Sequence, residues 1–155
     1  MIVTIYDAGE LVATPISPGS TRAPSSRSKL ASVTACPCLS GLPYDECCGA
    51  FHVGTYLPPT AERLMRSRYS AYVKGLPKYL LRTWHPSTRP TELVLDPRLR
   101  WYRLDILSRT RGGLLDTEGT VEFRASWRLQ SEKGAQHEVS TFVKEDGRWY
   151  YVDGE

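Results

Sequence analysis

The chain contains 155 residues, of which 41% are hydrophobic and 24% are charged, a composition typical of one ordinary globular domain with small additions. No apolar run approaches the roughly 18 residues needed to cross a bilayer, so the sequence predicts no membrane-spanning helix. Twenty basic and seventeen acidic residues give a net charge of +3, an excess too small to indicate nucleic-acid binding by itself. All four cysteines lie between positions 36 and 48, and this clustering is the most informative feature of the composition.

Residues 1–34 are predicted to form a flexible leader. Residues 15–34 are rich in Ser, Pro and Thr and contain no aromatic residue, so they bury too little apolar surface to offset the entropy of ordering. Residues 1–14 are consistent with one short strand or with the same mobility. They lack a basic segment followed by a long apolar one, so we expect no export signal and a cytoplasmic protein whose thiols stay reduced.

The cysteine-rich stretch, residues 35–54, is predicted to be a zinc knuckle. Its expected ligands are Cys36, Cys38, Cys47 and Cys48. Two close pairs of thiolates suit the tetrahedral, sulfur-rich coordination of structural Zn²⁺, and Ser40-Gly41 supplies the bend between the pairs. Four protein ligands leave no position for a catalytic water, so the ion is expected to be structural. A peptide of this size has no core of its own, and metal binding must supply the free energy of folding.

Other interpretations of the cysteines stay open. Two disulfides are disfavoured because a bond between the adjacent Cys47 and Cys48 would be strained and because no export signal is recognised. Free thiols and an iron–sulfur cluster use the same residues, although the tight spacing of the adjacent pair disfavours the cluster. His52 follows Cys48 by four positions and is expected to lie near the site or on the surface rather than to replace a thiolate.

Two helices are predicted after a Pro-Pro connection. Thr60 is the expected N-cap of the first helix, and Gly75 is its expected C-terminal stop. Pro77 is expected to open a second helix over residues 78–84. The apolar positions at helical spacing are Ala61, Leu64, Met65, Tyr72, Val73 and Leu76.

The remaining chain is predicted to form about four antiparallel strands. Strict alternation over residues 120–129 is typical of a half-buried strand, and shorter patterns predict strands around residues 102–106 and over residues 137–144. Asp146-Gly147 is a predicted hairpin turn. The cross-strand pairs that it predicts are Glu145 with Arg148 and Phe142 with Tyr151. Helices followed by strands predict an α+β fold, with the helices packed on one face of a curved sheet.

The segment Cys-Pro-Cys-x-Ser-Gly-x-x-Tyr-x-x-Cys-Cys-Gly resembles the SEC-C zinc motif, which is found in the C-terminal tail of the translocation ATPase SecA. Further motifs resemble the bacterial YchJ family and, with the cysteines, cover the chain from about Cys36 to its end. They are Phe51-His52, Pro59 to Glu62, Leu64 to Tyr72, Thr83 to Pro86 and Gly147 to Gly154. The resemblance implies a SEC-C motif joined to a domain of the nuclear-transport-factor-like cone fold over residues 55–155. It implies no established activity.

Two features depart from the family pattern. The residue after the second cysteine is usually Gly in SEC-C motifs and is Leu39 here, so the turn must accommodate a side chain. The family normally begins just before the first cysteine, so residues 1–33 lie outside the resemblance; we expect either a real extension or a translation start assigned too early. Partners in protein translocation or translation are implied only by the analogy with SecA.

Five residues are candidates for lining a cavity inside the cone, and they are Arg68, Tyr72, Trp84, His85 and His137. Arg68 shares the apolar face of the first helix, where a buried guanidinium needs partners. It is therefore expected to be a structural hydrogen-bond hub, with ligand contact as the alternative. A histidine titrates near neutrality and can do acid–base work, but an isolated one is more often structural. Aromatic residues in such a fold are usually core.

Basic residues are in excess on the first predicted helix and its continuation. They are Arg63, Arg66, Arg68, Lys74, Lys78 and Arg82. This face could contact RNA phosphates, although a solvated basic face is the more conservative interpretation. The predicted function is a zinc-binding interaction module whose knuckle contacts a protein or ribonucleoprotein. The alternative is a small-molecule-binding protein or an enzyme of the isomerase, dehydratase or hydrolase kind that uses the cone cavity.

Overall fold

The computed structural model describes residues 34–155, so the expectations for residues 1–33 lie outside the described residues. The elements in this range are α1 Cys48–His52, α2 Ala61–Lys74, α3 Pro77–Arg82, β1 Leu99–Arg111, β2 Glu118–Leu129, β3 Glu132–Glu145 and β4 Arg148–Gly154. The strands form one sheet in the order β1-β2-β3-β4, and each neighbouring pair is antiparallel. Within residues 34–155, no helix has the length and apolar content that a bilayer crossing requires.

The central helix α2 begins and ends where the sequence predicts. Thr60 is extended, and its Oγ1 accepts a hydrogen bond from the backbone N–H of Arg63 at 3.2 Å. Gly75 ends the helix with a φ of 68°, in the left-handed region that favours glycine. The following helix, α3, is shorter than predicted. It ends at Arg82 because the chain turns to pair with β4, where the Tyr151 N–H donates to the Thr83 carbonyl at 2.9 Å.

The predicted alternation of β2 and the predicted hairpin are both confirmed. In β2, Val121 and Phe123 are buried whereas Arg124 is exposed. Asp146 and Gly147 both have left-handed φ values, 49° and 75°, as a two-residue type I′ turn requires. The cross-strand pairs are Glu145 with Arg148 and Phe142 with Tyr151, as predicted.

The first strand, β1, is longer and less regular than the sequence predicts. Its register against β2 shifts between Trp101 and Arg103 and again further along the strand. An irregularity of this kind changes the face on which the neighbouring side chains lie. Tyr102 is therefore exposed, although the sequence places it with the buried Leu104.

The main core lies between α2 and one face of the sheet. Its buried residues are Ala61, Leu64, Met65, Tyr69, Leu104, Val121, Phe123, Ala125, Phe142, Trp149 and Tyr151. A smaller cluster joins α1 and α3 to the other side of α2, through Phe51, Ala71, Tyr79, Leu80 and Leu93. The helix α2 thus has one side against the sheet and another against the end of the cysteine-rich segment, and the predicted α+β architecture is confirmed.

Candidate metal centre and cone interior

The four cysteines converge into one buried cluster. Their sulfur atoms all lie within 4.8 Å of one another, with 3.7 Å between Cys38 and Cys47 and 3.9 Å between Cys47 and Cys48. No disulfide joins them. Four thiolates about 2.3 Å from a common zinc ion would be separated by about 3.8 Å at the edges of a tetrahedron. The spacing therefore fits a single divalent metal ion bound by four sulfurs.

A tight turn carries the first pair of cysteines to the second. The Cys36 N–H donates to the Leu42 carbonyl at 2.9 Å, and the Ser40 hydroxyl contacts the Cys47 sulfur at 3.2 Å. Leu39 lies in this turn with a φ of 60°, in the left-handed region that favours glycine, so the turn accommodates a side chain only with strain. Leu39 and Leu42 lie on either side of the Ser40-Gly41 bend, and 57% and 44% of their surface is exposed. Both side chains therefore present apolar surface to solvent.

The thiols of the cluster differ in acidity. A hydrogen bond from the Cys48 thiol lowers the pKa of Cys38 to about 4. The same hydrogen bond raises the pKa of Cys48, and burial raises the pKa of Cys36. Because the thiolate is the form that binds metal, a divalent ion is the group that lets the buried sulfurs ionise together.

The cysteine cluster is fixed directly to α2. The Arg66 Nη1 donates to the Cys38 carbonyl at 3.0 Å while its Nε bonds to Glu62 at 2.9 Å, so the arginine is held at both ends. The Ser70 hydroxyl lies 3.7 Å from the Cys36 sulfur. Two consecutive turns of α2 thus hold the first cysteine pair in place.

His52 connects the knuckle to α2 as a strut. Its Nε2 lies 2.8 Å from the Ser67 carbonyl, and its Nδ1 lies 2.7 Å from the Tyr44 hydroxyl. A carbonyl oxygen only accepts, so Nε2 carries the proton and Nδ1 accepts from Tyr44. The ring also packs against Tyr79, 4.5 Å between centroids, and burial lowers the pKa of His52. His52 is therefore a neutral link rather than a metal ligand.

Several basic residues of the predicted basic face contact the knuckle. The Arg63 guanidinium lies 5.3 Å from the Phe51 ring, and the Lys74 ammonium lies 4.5 Å from the Tyr44 ring. Arg82 donates from Nη2 to the carbonyl of His52 at 3.1 Å, near the end of α1. These contacts account for much of the local basic excess. Contact with RNA stays a prediction.

Inside the cone, Arg68 is a buried hub, 3% exposed. Its Nη1 donates to the Leu80 carbonyl and to the Thr83 hydroxyl, each at 2.7 Å. The guanidinium lies 5.1 Å from the Trp84 ring and 4.5 Å from the Tyr151 ring. Arg68 thereby links α2 and α3 to β4 through cation–π contacts and hydrogen bonds.

Glu138 is a second buried charge in the cone, 4% exposed. Its Oε1 accepts from Ser140 at 2.7 Å and from Tyr151 at 3.2 Å, and its Oε2 accepts from Gln136 at 2.7 Å. Glu138 was not among the cavity candidates, although its alternation with Ser140 and Phe142 in β3 signals an inward position. The cavity between these groups measures about 10 Å³, room for about one water molecule. Its walls are Met65, Arg68, Tyr72, Phe123, Glu138, Ser140 and Tyr151.

The structure brings together three of the five cavity candidates and leaves two apart. Arg68 and Tyr72 line the cavity, and Trp84 packs on Arg68. His85 instead bonds to Ser87 and to the exposed Glu145. His137 bonds to Glu122 at 2.8 Å on the opposite face of the sheet, so the two histidines do not converge.

Two family models match the chain. The SEC-C motif matches residues 34–50, and the model described as the YchJ middle domain, which is NTF2-like, matches residues 60–154. The chain belongs to the YchJ family. The predicted cone fold and the SEC-C motif are thus both confirmed.

Relatives and solved structures agree with this placement. A UPF0225 protein of Streptomyces coelicolor is 55% identical over 120 residues, covering 77% of this chain and 94% of that protein. A UPF0225 protein of Chromobacterium violaceum is 47% identical, covering 83% and 97%. The solution structure of a SEC-C motif containing protein from Rhodopseudomonas palustris superposes with a TM-score of 0.68 at 34% identity, covering 79% of this chain and 98% of that one. A SEC-C motif containing protein from Psychrobacter arcticus gives a TM-score of 0.65 at 31% identity, covering 79% and 82%.

Proposed function

We propose that the cysteine cluster binds a structural Zn²⁺ ion. The four buried sulfurs have tetrahedral spacing, and sulfur-only coordination favours zinc over the harder divalent cations. All four positions of such an ion are filled by the protein, so the ion organises the knuckle and binds no substrate. The reduced thiols agree with the proposal of a cytoplasmic protein.

We further propose that the protein is an interaction module whose knuckle contacts a partner protein. The observation that carries this proposal is the exposure of Leu39 and Leu42 on a turn that the metal and α2 hold rigid. Leu39 keeps a left-handed conformation that costs a leucine about 1–2 kcal/mol, and strained residues of this kind concentrate at functional sites. A rigid exposed apolar turn loses little entropy when a partner covers it.

The interior of the cone supports a module more than an enzyme. Its cavity of about 10 Å³ is far below the few hundred Å³ of a typical small-molecule site. The charged groups inside it, Arg68 and Glu138, already have hydrogen-bond partners, whereas the Tyr72 hydroxyl, which also lines the cavity, has none among the described residues. A partner in protein translocation or translation is proposed on the analogy with SecA alone.

Affinity capture with matched variants tests the interaction. Tagged protein is compared with a Leu39→Ser/Leu42→Ser double variant and with Cys38→Ser. The control is Leu115→Ser. Leu115 is 99% exposed on the β1–β2 turn, so this substitution removes a similar area of apolar surface at a site away from the knuckle. We expect a stoichiometric partner, identified by mass spectrometry, that the control retains and that the other two variants lose.

Two results would contradict the module. A partner retained by both the double variant and Cys38→Ser does not bind the knuckle. Equal loss in all three variants indicates nonspecific apolar adhesion. Metal analysis of protein purified without added zinc tests the ion separately, with about one zinc per chain as the expected result.

A further inference from the structure

A small cleft lies at the junction of the knuckle and the cone. Its volume is about 120 Å³. It is bounded by the end of α1, the segment that leads to α2, the helix α3 and the start of β4. The lining residues are Phe51, Gly54, Leu57, Pro58, Tyr79, Arg82, Thr83, Arg148 and Trp149. We call it the Arg82–Arg148 cleft.

Two guanidiniums give this cleft its charge. Arg82 and Arg148 are both exposed, and neither forms an ion pair with another residue of the range 34–155. Arg82 is oriented by the Phe51 and His52 carbonyls and by the Tyr79 ring, 5.1 Å away. Glu145 lies opposite Arg148 in the β3–β4 pairing, but its carboxylate contacts His85 at 3.2 Å. The cleft therefore carries two guanidiniums that form no ion pair within the described residues.

The rest of the cleft is apolar and rigid. Phe51, Tyr79 and Trp149 are each less than 9% exposed, and the Trp149 indole is fixed by donating to the Pro59 carbonyl at 3.1 Å. Leu57 is half exposed and belongs to a run that also exposes Val53 and Tyr56. Arginine beside aromatic walls is the composition that carries most of the energy in protein interfaces.

We propose that the Arg82–Arg148 cleft binds a short acidic segment of a partner protein, in which a carboxylate stands beside a large apolar side chain. This rests on the proposed function, since it names a partner class and a second contact for the same module. A volume of 120 Å³ holds one side chain rather than a metabolite. The Arg148 guanidinium can bind a carboxylate bidentately, and Arg82, whose Nη2 donates to two backbone carbonyls, can add a single donor from Nη1.

An RNA strand fits this cleft less well than a peptide. Binding of RNA without sequence preference uses a row of cations along the phosphates and exposed aromatic faces on which bases stack. Here the aromatic rings are buried in the walls, and two arginines flank an apolar floor. RNA is therefore kept as an outcome of the test.

Titration of the isotope-labelled full chain tests the proposal. The probe is the acetylated and amidated peptide Gly-Glu-Asp-Leu-Phe-Gly, and the readouts are the Trp149 indole N–H and the Arg148 amide in NMR spectra. The matched peptides replace the acids by Gln and Asn, or the Leu-Phe pair by Ala-Ala. A six-nucleotide oligouridylate serves as the RNA probe. We expect shifts at both readouts with the first peptide, binding that weakens with added salt, and at least about tenfold weaker binding of both matched peptides.

Charge-reversal variants locate the site. Arg148→Glu is expected to lower the affinity for the acidic peptide at least about tenfold. The control, Arg128→Glu, replaces an exposed arginine of β2 and is expected to change this affinity less than about twofold. Four results would each overturn the proposal. The neutral peptide binds as tightly as the acidic one, or both charge-reversal variants lose the same affinity. Alternatively, the oligouridylate binds more tightly than the acidic peptide, or no shift is seen at millimolar peptide. The partner capture separates the two proposals: a partner lost with Leu39→Ser/Leu42→Ser but kept with Arg148→Glu leaves the module standing and removes this cleft.

Discussion

The knuckle and the cone are stabilised in different ways. Among the described residues, the buried apolar cluster of the knuckle consists of the four cysteines, with Tyr44 packed against it. The cone buries a helix face against a four-stranded sheet, including Phe123, Phe142 and Trp149. Apolar burial stabilises the cone, whereas metal binding and the contacts with α2 must stabilise the knuckle. The knuckle is therefore expected to depend on metal, whereas the cone has an apolar core of its own.

The largest expected effect is that of removing the metal. A strong chelator is expected to unfold residues 36–48 while the sheet stays folded, because the lost coordination is worth on the order of 10 kcal/mol and this segment has no core to replace it. Hydrogen exchange followed by mass spectrometry measures both regions at once. The expected result is loss of protection in the knuckle with the β2 and β3 amides unchanged.

The control for this experiment is to add the metal back, which should restore the protection of the knuckle amides from exchange. Loss of sheet protection at the same chelator concentration would show that the two regions unfold as one unit. In that case the contacts of α2 with Cys36 and Cys38 couple the folding of the knuckle to that of the cone, although the two regions have different cores.

The reverse experiment weakens the cone and leaves the metal site intact. Phe123 is fully buried at the centre of β2, so Phe123→Ala should lower the free energy of unfolding by about 3–5 kcal/mol. Thermal or denaturant unfolding measures this change. Phe123→Leu is the matched control, with an expected loss below about 1.5 kcal/mol. Metal content per folded chain should stay that of the wild type, and a parallel loss of metal would contradict the independence of the two regions.

The cone was the easier region to predict from the sequence because its signals are local. Thr60 and Gly75 bound α2 through cap chemistry, and the alternation around Phe123 fixes which face of β2 is buried. The exceptions arise from contacts distant in sequence. The pairing of Thr83 with Tyr151 ends α3 early, and a shift of register near Tyr102 has no local signature.

The candidate site was predictable only in its ligand spacing. The four cysteines are close in sequence, but His52 links Tyr44 to Ser67, which lies fifteen positions after His52. The alternation of β3 places Glu138 on the inward face, but its hydrogen bond with Tyr151 depends on the pairing of β3 with β4. A prediction of spacing therefore finds the metal site but not the residues that attach it to the cone.

A smaller effect is expected from cutting that strut. His52→Gln should lower stability by about 1–2 kcal/mol, because glutamine does not replace both ring hydrogen bonds and the packing on Tyr79. Burial lowers the pKa of His52, so the unfolded chain binds this proton more tightly than the folded one. The wild type should therefore lose stability as the pH falls from about 6.5 towards the lowered pKa.

The His52→Gln variant should lack this part of the pH dependence. Unfolding is measured between about pH 5 and pH 8 with metal content checked at each point, since acid also protonates thiolates. His137→Gln is the control, because His137 is exposed on the opposite face. Parallel pH profiles for wild type and His52→Gln would show that the histidine is not the neutral link described above.

The smallest expected effect separates stability from function at one residue. Leu39→Gly should raise the stability of the metal-bound knuckle by about 0.5–1 kcal/mol, because glycine accepts a φ of 60° without the penalty that a leucine incurs. Leu42→Gly is the matched control, since Leu42 is also exposed but has no left-handed backbone to relieve, and it should not stabilise the knuckle. Competition with a chelator measures both. If Leu39→Gly binds metal more tightly yet captures less partner, then this chain retains a strained leucine for the contact that it makes; if capture is unchanged, the strain has no role in binding.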